Sequence, residues 1–592
     1  MSFAVRYPLA AGRRDLIAGL TVAAVALPQG IAYALIAGVD PRFGVYSTIV
    51  VTAVASIFGS SSHLINGPTS AISLLVFSSL AFIDPENRTA LFEALFVLGV
   101  LVGAIQIIIA VLKLGDLTRY ISESVIVGFM LAAAFLLALG QLGNALGVKD
   151  NGNRKIQVLH RVWLTLCHGD AINFRALFLS VSALVLAVVV RRLVQRYGWP
   201  QIDLLTVLVV AAVIAYTAGW SAPNGRGKTA VSLAAKVPQS LPTAHIPEVD
   251  LSSLAQLSQG ALAIAFIGLL EALSIAKAIA YQSQQKIDYN RQILAEGLAN
   301  LTGGFFQSLP GSGSLSRSAI NFQAGAATRF SGIISSVIVA VALLLFAPLV
   351  HYIPQAALAG LLLVTAVRLV DRKRLVATVK ASRYDAGLVA VTALTGVLID
   401  LDKAVLLGIA LSILLFVRRA SKLNAAELTV TPERVVRERK PGDRADPSLV
   451  IYDLEGELFF AAAPVLDSYL DTLRARIRTG ETKFVILRLK RVRHPDAVSI
   501  ERLEHFLREH NGNGVTILLA GVRRDTLAVL KNVGIDSWFP AEQIFPEEDQ
   551  EYSATVSAVR YARARLNSED SEAIPVGTNT THSEKPELYY LV

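Results

Sequence analysis

Between residues 16 and 417 the chain is a succession of apolar runs long enough to cross a bilayer, and no other feature limits its possible folds so severely. A hydrocarbon core of about 30 Å takes about 20 apolar residues in helical form. Inside it every backbone N–H and C=O must be satisfied within the protein, so uninterrupted runs of this length are helices. Allowing shorter runs where a helix is broken, fourteen spans can be counted: 16–37, 44–58, 68–83, 90–112, 120–140, 174–190, 200–220, 258–280, 293–306, 314–324, 331–350, 354–369, 384–400 and 404–416. Hydrophobic residues make up 53% of the 592 and charged residues 17%, most of the latter outside the runs. The chain therefore reads as a polytopic α-helical membrane protein. No cleavable signal peptide is evident, because the first run is already of spanning length and Pro28 and Gln29 interrupt it.

Two places break the helical pattern. Residues 309–322 read LPGSGSLSRSAINF, a run of breakers and small hydroxyl residues that ends in one arginine, and residues 66–73 read NGPTSAIS. Irregular backbone at membrane depth is tolerated only where it lines a cavity or is buried in protein. The break at 66–73 falls in the third span of the chain and that at 309–322 in the third span after residue 221. Seven spans precede that loop and seven follow it, so the halves, about 15–220 and 258–420, have opposite orientation. Broken helices at matching places in two inverted halves point to a transporter's substrate site. If a pseudo-twofold axis relates the halves, two half-helix amino ends face each other, each with unsatisfied N–H groups and about half a positive charge. Physically that is an anion site.

Lys and Arg in short loops favour the cytoplasm. Arg13 with Arg14, Arg119, Arg191 with Arg192 and Arg196, Lys286 with Arg291, Arg372 to Arg374, and Arg418 with Arg419 all fall on one side, which also holds both termini. The longer loops 144–173 and 221–257 carry basic residues on the other side. A net charge of +9 would suit nucleic acid, but these short clusters between apolar runs read as topology signals and no nucleic-acid partner is expected. The single cysteine, Cys167, rules out an internal disulfide and a zinc cluster. Neither the nine histidines nor any Ser/His/Asp, Cys/His or HExxH pattern suggests an enzyme, a metal or a cofactor.

Around residue 423 the composition changes. Strand-length apolar runs at 449–454, 484–489 and 515–520 alternate with amphipathic stretches at 463–478, 499–510 and 525–534, which predicts a small α/β domain with a mostly parallel sheet. Beyond Asn567 the chain is polar and predicts a disordered tail. The expected divisions are a transport domain at 1–422, a cytoplasmic domain at 423–567 and a tail at 568–592. Gly227, Lys228 and Thr229 end like a phosphate-binding loop, but Ala222 stands where its first glycine should be and no strand precedes it.

Several longer motifs carry a resemblance: PQGIAYALIAG (28–38), DPRFGVYST (40–48), NGPTSAISL (66–74), EALSIAKAIA (271–280) and IDYNRQILAEGLANLTGGFFQSLPGSGSLSRSAINFQAGA (287–326). They resemble the SulP family of sulfate permeases, related to animal solute-carrier anion exchangers and to prestin. VIYDLEGELFFAAA (450–463) resembles the start of that family's STAS domain. The resemblance implies seven-plus-seven inverted repeats, a core and a gate domain, a homodimer in the cell (inner) membrane, and alternating access. By position it also implies an anion pocket lined by Gln29, Tyr33, Thr69, Ser70, Leu315, Ser316 and Arg317. In bacterial STAS relatives an Asp precedes a phosphorylatable hydroxyl; here Ala497 and Val498 follow Asp496, which speaks against a phosphoswitch.

Each of these groups also has a structural reading. Gln29 could repair the backbone freed by Pro28, Tyr33 could be plain core, and Gly303, Gly304, Gly311 and Gly313 could serve helix packing. Arg317 could pair permanently with Glu271, the one acidic residue in the middle of its span. An intramembrane carboxylate is costly and marks an ion or proton path by default. The family's sodium-coupled members resemble this position with an Asp and a hydroxyl one turn on; Ile275 stands there here, which favours a proton over sodium. The expectation is a secondary active transporter of sulfate, bicarbonate or a dicarboxylate, coupled to protons through Glu271. Sodium coupling, anion exchange, a nucleobase permease, an anion channel or motor, and a membrane-anchored sensor are the rivals.

Overall fold

The computed structural model describes residues 9–84, 87–113, 122–148, 158–168, 171–197, 203–222, 229–234, 237–248, 251–431, 435–443, 446–510, 514–548, 553–572 and 590–591. Arg119, Gly227, Lys228 and the tail from residue 573 to 589 lie outside them. The chain divides into two compact units, Met1–Ile413 and Leu414–Val592.

In the first unit the elements are α1 (Leu9–Ile36), α2 (Pro41–Phe58), β1 (Asn66–Gly67), α3 (Ser70–Ser79), α4 (Arg88–Val111), α5 (Glu123–Gly140), α6 (Leu142–Leu146), α7 (Val158–His168), α8 (Phe174–Tyr197) and α9 (Asp203–Thr217). After the central loop come α10 (Leu251–Ser283), α11 (Tyr289–Phe305), β2 (Ser312–Gly313), α12 (Leu315–Gln323), α13 (Phe330–Val350), α14 (Gln355–Leu369), α15 (Arg372–Ala381), α16 (Arg383–Leu398) and α17 (Leu401–Ala420), the last leading into the second unit. Every expected span is a helix. Among the described residues, seven helices are long and apolar enough to cross a membrane by length and composition alone. The broken ones, α3 and α12, are shorter than expected, and just before each of them residues 66–67 and 312–313 pair as strands. Helices α6, α7 and α15 were not expected. The first two lie around the loop 144–173, where His160 and Trp163 stand exposed and hide the apolar period, and α15 buries none of its residues.

The packing repeats between the two halves. Helix α1 packs on α13 as α10 packs on α4; α5 packs on α16 as α14 packs on α8; α4 packs on α11 as α13 packs on α2. Exchanging the first seven spans for the second seven maps each pair onto the other. Helices α1–α4 and α10–α13 form one packed group, and α5, α8, α9, α14 and α16 a second. Small residues permit close approaches: a Cβ at Gly103 of α4 would collide with the Leu301 backbone of α11.

The second unit is a seven-stranded sheet: β3 (Asn424–Val430), β4 (Val435–Glu438), β5 (Leu449–Glu457), β6 (Phe484–Arg493), β7 (Thr516–Val522), β8 (Ile544–Pro546) and β9 (Tyr590–Leu591), in the order β8-β7-β6-β5-β3-β4-β9. Strands β5 to β8 are parallel, and their near-continuous buried runs are those of a sheet covered on both faces. The antiparallel β3 and β4 were not expected. Around the sheet run α18 (Ala463–Ile477), α19 (Ala497–His510), α20 (Arg524–Asn532) and α21 (Ser553–Glu572). Helix α21 continues five residues into the stretch expected to be disordered, since Val556, Val559, Ala562 and Leu566 anchor it on the sheet. Asp496 caps α19 by accepting from Ser499 N at 2.9 Å and also accepts from Phe460 N at 2.6 Å, a structural occupation.

Candidate anion site

Both breaks are built alike. Thr69 caps α3, its hydroxyl accepting from Ile72 N at 3.4 Å and its carbonyl from Ser73 N. Ser314 caps α12, accepting from Arg317 N at 3.5 Å and from Ser318 N. Such caps satisfy two of the first turn's donors and leave the rest without an intrahelical acceptor, here the N–H groups of Ser70 and Ala71, and of Leu315 and Ser316. Strands β1 and β2 pair antiparallel just before the caps, Asn66 opposite Gly313 and Gly67 opposite Ser312. The pairing holds the two amino ends next to each other. A Cβ at Gly311 would fall 2.7 Å from the Gly67 carbonyl, so the strands approach as only glycine allows.

Arg317 lies behind this junction. Its side chain is fully buried, and Nη2 donates to Pro68 O at 2.8 Å. Nε and Nη1 have no protein partner. Gly67, at φ +136°, leaves the room: a Cβ there would meet the guanidinium at 3.1 Å. The arginine thus reaches from one broken helix to the backbone of the other. Leu315 and Ser316 are exposed at the cap, and the Ser316 hydroxyl stands 3.4 Å from that of Ser314. The pair expected as a structural alternative is absent, since no ion pair within 4.0 Å joins Arg317 to Glu271. Glu271 on α10 instead accepts from the Thr69 hydroxyl at 3.1 Å.

Helix α1, which carries Gln29 and Tyr33, packs on both α3 and α12. Gln29 is buried and its Oε1 has no partner, so it does not spend that atom on the helix around Pro28. Of the glycines, Gly304 packs against Val100 and Phe96 of α4, and Gly313 against Ala272 of α10.

One group escaped the sequence reading. Glu296 of α11 is fully buried; Oε1 accepts from Gln292 Nε2 at 3.2 Å and Oε2 has no partner. Asn300, one turn on, donates to Gly311 O at 3.0 Å and to Gln106 Oε1 at 2.9 Å, and accepts from Gly311 N at 2.8 Å. Gln292, Glu296 and Asn300 recur every fourth residue, a polar stripe on one helix face. That spacing was the available signal; Glu296 sat near the start of its apolar run and looked like an end.

The arrangement can hold a desolvated anion by N–H groups and hydroxyls, with a buried positive charge behind and a carboxylate beside it. Comparison with known proteins agrees with this chemistry. The sequence profile of the sulfate permease family matches residues 13–392, and that of the STAS domain residues 440–551. The chain is 28% identical over 532 residues to sulfate transporter 4.1, chloroplastic, of Arabidopsis thaliana, covering 88% of this chain and 77% of that one. It is 28% identical over 548 residues to the sodium-independent sulfate anion transporter of Bos taurus, covering 88% and 85%. Among solved structures, SLC26A9 superposes with a TM-score of 0.81 at 20% identity, over 94% of this chain and 91% of that one, which carries the likeness of fold. With two sets of seven helices related in their packing, two facing capped breaks and a STAS domain in the second unit, the chain belongs to the sulfate permease family of membrane anion transporters.

Proposed function

We propose that the protein carries a small oxyanion of the sulfate class together with a proton. Gln29, Tyr33, Thr69, Ser70, Leu315, Ser316 and Arg317 form the anion site in this reading, and Glu271 binds the coupled proton. The N-terminus and the STAS domain lie in the cytoplasm, in keeping with the basic loops, and the working unit is a homodimer. The observation that carries the reading is the Glu271 carboxylate, which touches the Thr69 cap and has no cation within ion-pair distance among the described residues. Ionised, it repels an arriving anion; protonated, it does not, so proton and anion bind with positive coupling. The hydroxyl that sodium would use one turn on is replaced by Ile275, and a relative is named as sodium-independent.

The test is uptake of labelled sulfate, bicarbonate and dicarboxylates into proteoliposomes under an inward proton gradient. Accumulation of one of these that rises with the gradient and ignores sodium is expected, and Glu271→Gln should retain exchange while losing proton-driven accumulation. Wild-type accumulation indifferent to the gradient would overturn the symport reading and leave anion exchange, which the same site geometry supports.

A further inference from the structure

A cavity of about 760 Å³ lies between α1, α9 and α13, apart from the polar junction. Its walls are aliphatic almost throughout: Leu20, Ala24 and Leu27 of α1, Leu208 and Ala212 of α9, Ala342 of α13. Water would find hardly a polar partner there, and an ordered water needs two to four. The rim residues Val209, Val213, Phe346 and Leu349 are all exposed, so the cavity opens sideways onto the outer face of spanning helices. That face borders hydrocarbon in an integral membrane protein, and the cavity is continuous with it.

Dimensions and rim chemistry narrow the occupant. Along α1 the lining runs from Leu20 to Ile31, eleven steps of about 1.5 Å or about 16 Å in all, close to the ~15 Å of one leaflet's hydrocarbon. At one end Tyr216 and Tyr352 meet edge to face at 5.9 Å. Tyrosines with an apolar ring and a polar tip mark the level where hydrocarbon gives way to headgroups. We propose that one phospholipid of the surrounding bilayer lodges an acyl chain in this groove with its headgroup at the tyrosine pair. The chain seals α1 sideways at Pro28 and Ile31, on either side of Gln29, and fills a seam between the two packed helix groups, to which α9 and the α1–α13 pair separately belong.

The experiment uses the full-length protein, purified in detergent and washed extensively, with phospholipid per protomer read by native mass spectrometry and phosphorus assay. About one phospholipid per protomer should survive in the wild type. Ala212→Phe on α9 and Ala342→Phe on α13 fill the groove from different helices, and each should lower retained lipid at least fivefold while the protein still elutes as a folded, monodisperse species. Two variants guard against one failing to fold. Wild-type protein that carries no retained phospholipid, or variants that keep it, would overturn the proposal. So would an Ala342→Phe protein that loses its oligomeric state and keeps its lipid, because the groove would then be covered by a second copy of the chain.

Discussion

At the scale of single residues, the candidate site sets a buried arginine behind exposed cap residues, with partners chosen by the fold. Arg317 gives one hydrogen to Pro68 O and keeps the rest, so its charge acts through the junction from behind. Arg317→Ala removes that charge and leaves a buried carbonyl unpaired; such a loss costs about 1–3 kcal/mol. Apparent anion affinity is expected to fall about tenfold or more in proteoliposome uptake with the oligomer intact on size exclusion, and an unchanged affinity for every anion carried would remove Arg317 from the site. Thr69→Val deletes a cap worth about 1 kcal/mol together with the donor to Glu271, and should lower both thermal stability and uptake. The two breaks that carry Thr69 and Arg317 were legible because a breaker, a hydroxyl and a lone charge inside an apolar run have few other uses. Glu296 was not, since its stripe of Gln292 and Asn300 becomes meaningful only once α4 and the Gly311 turn are seen to close around it. The direction of the Arg317 side chain was also beyond sequence: a residue next to exposed Ser316 turns inward because Gly67 leaves it space.

Between residues and whole molecule stand the elements, and here the strands β1 and β2 deserve the weight. Gly67 holds a left-handed φ of +136° beside the guanidinium, so Gly67→Ala combines backbone strain with a clash. The expected result is a lower melting temperature in detergent and loss of uptake, whereas Gly387→Ala, which meets nothing within 4 Å, should be neutral in both. The helices were readable from apolar period and length, down to the two interrupted ones. The strand pair was not, because two residues carry no period, and α15 was hidden because it buries nothing. In the second unit the Arg437 fork on Asp443, aided by the Lys440 N–H, holds that carboxyl down to about 2. A depressed carboxylate contributes stability above its ordinary range near 4 and loses it only as pH falls toward 2. The pair is therefore silent between pH 5 and 8, and Arg437→Ala should leave the shape of the uptake–pH profile in that window unaltered.

For the molecule as a whole, the division at 413/414 inside α17 separates a unit made of spanning helices from one made around a sheet. Composition announced both units, since an apolar run of 20 residues and a strand-length run bounded by charge cannot be confused. All groups assigned to the anion lie in the first unit. Truncation after Lys422 is expected to lower assembly or rate and to leave the order of preference among anions unchanged; a panel of labelled anions compared in both proteins checks it, and a reordered preference would contradict this division of labour.

The pairing of Asn66 with Gly313 has a consequence for biosynthesis. The first partner leaves the ribosome early and must wait, inside a membrane, while most of the helices between them are made and inserted. Until then its N–H and C=O groups stay unmatched in hydrocarbon, where each unmatched group is worth several kcal/mol. The strand pair thus cannot close before residue 313 has been made, and until then a half-made protein holds an open strand edge that the insertion machinery has to shelter.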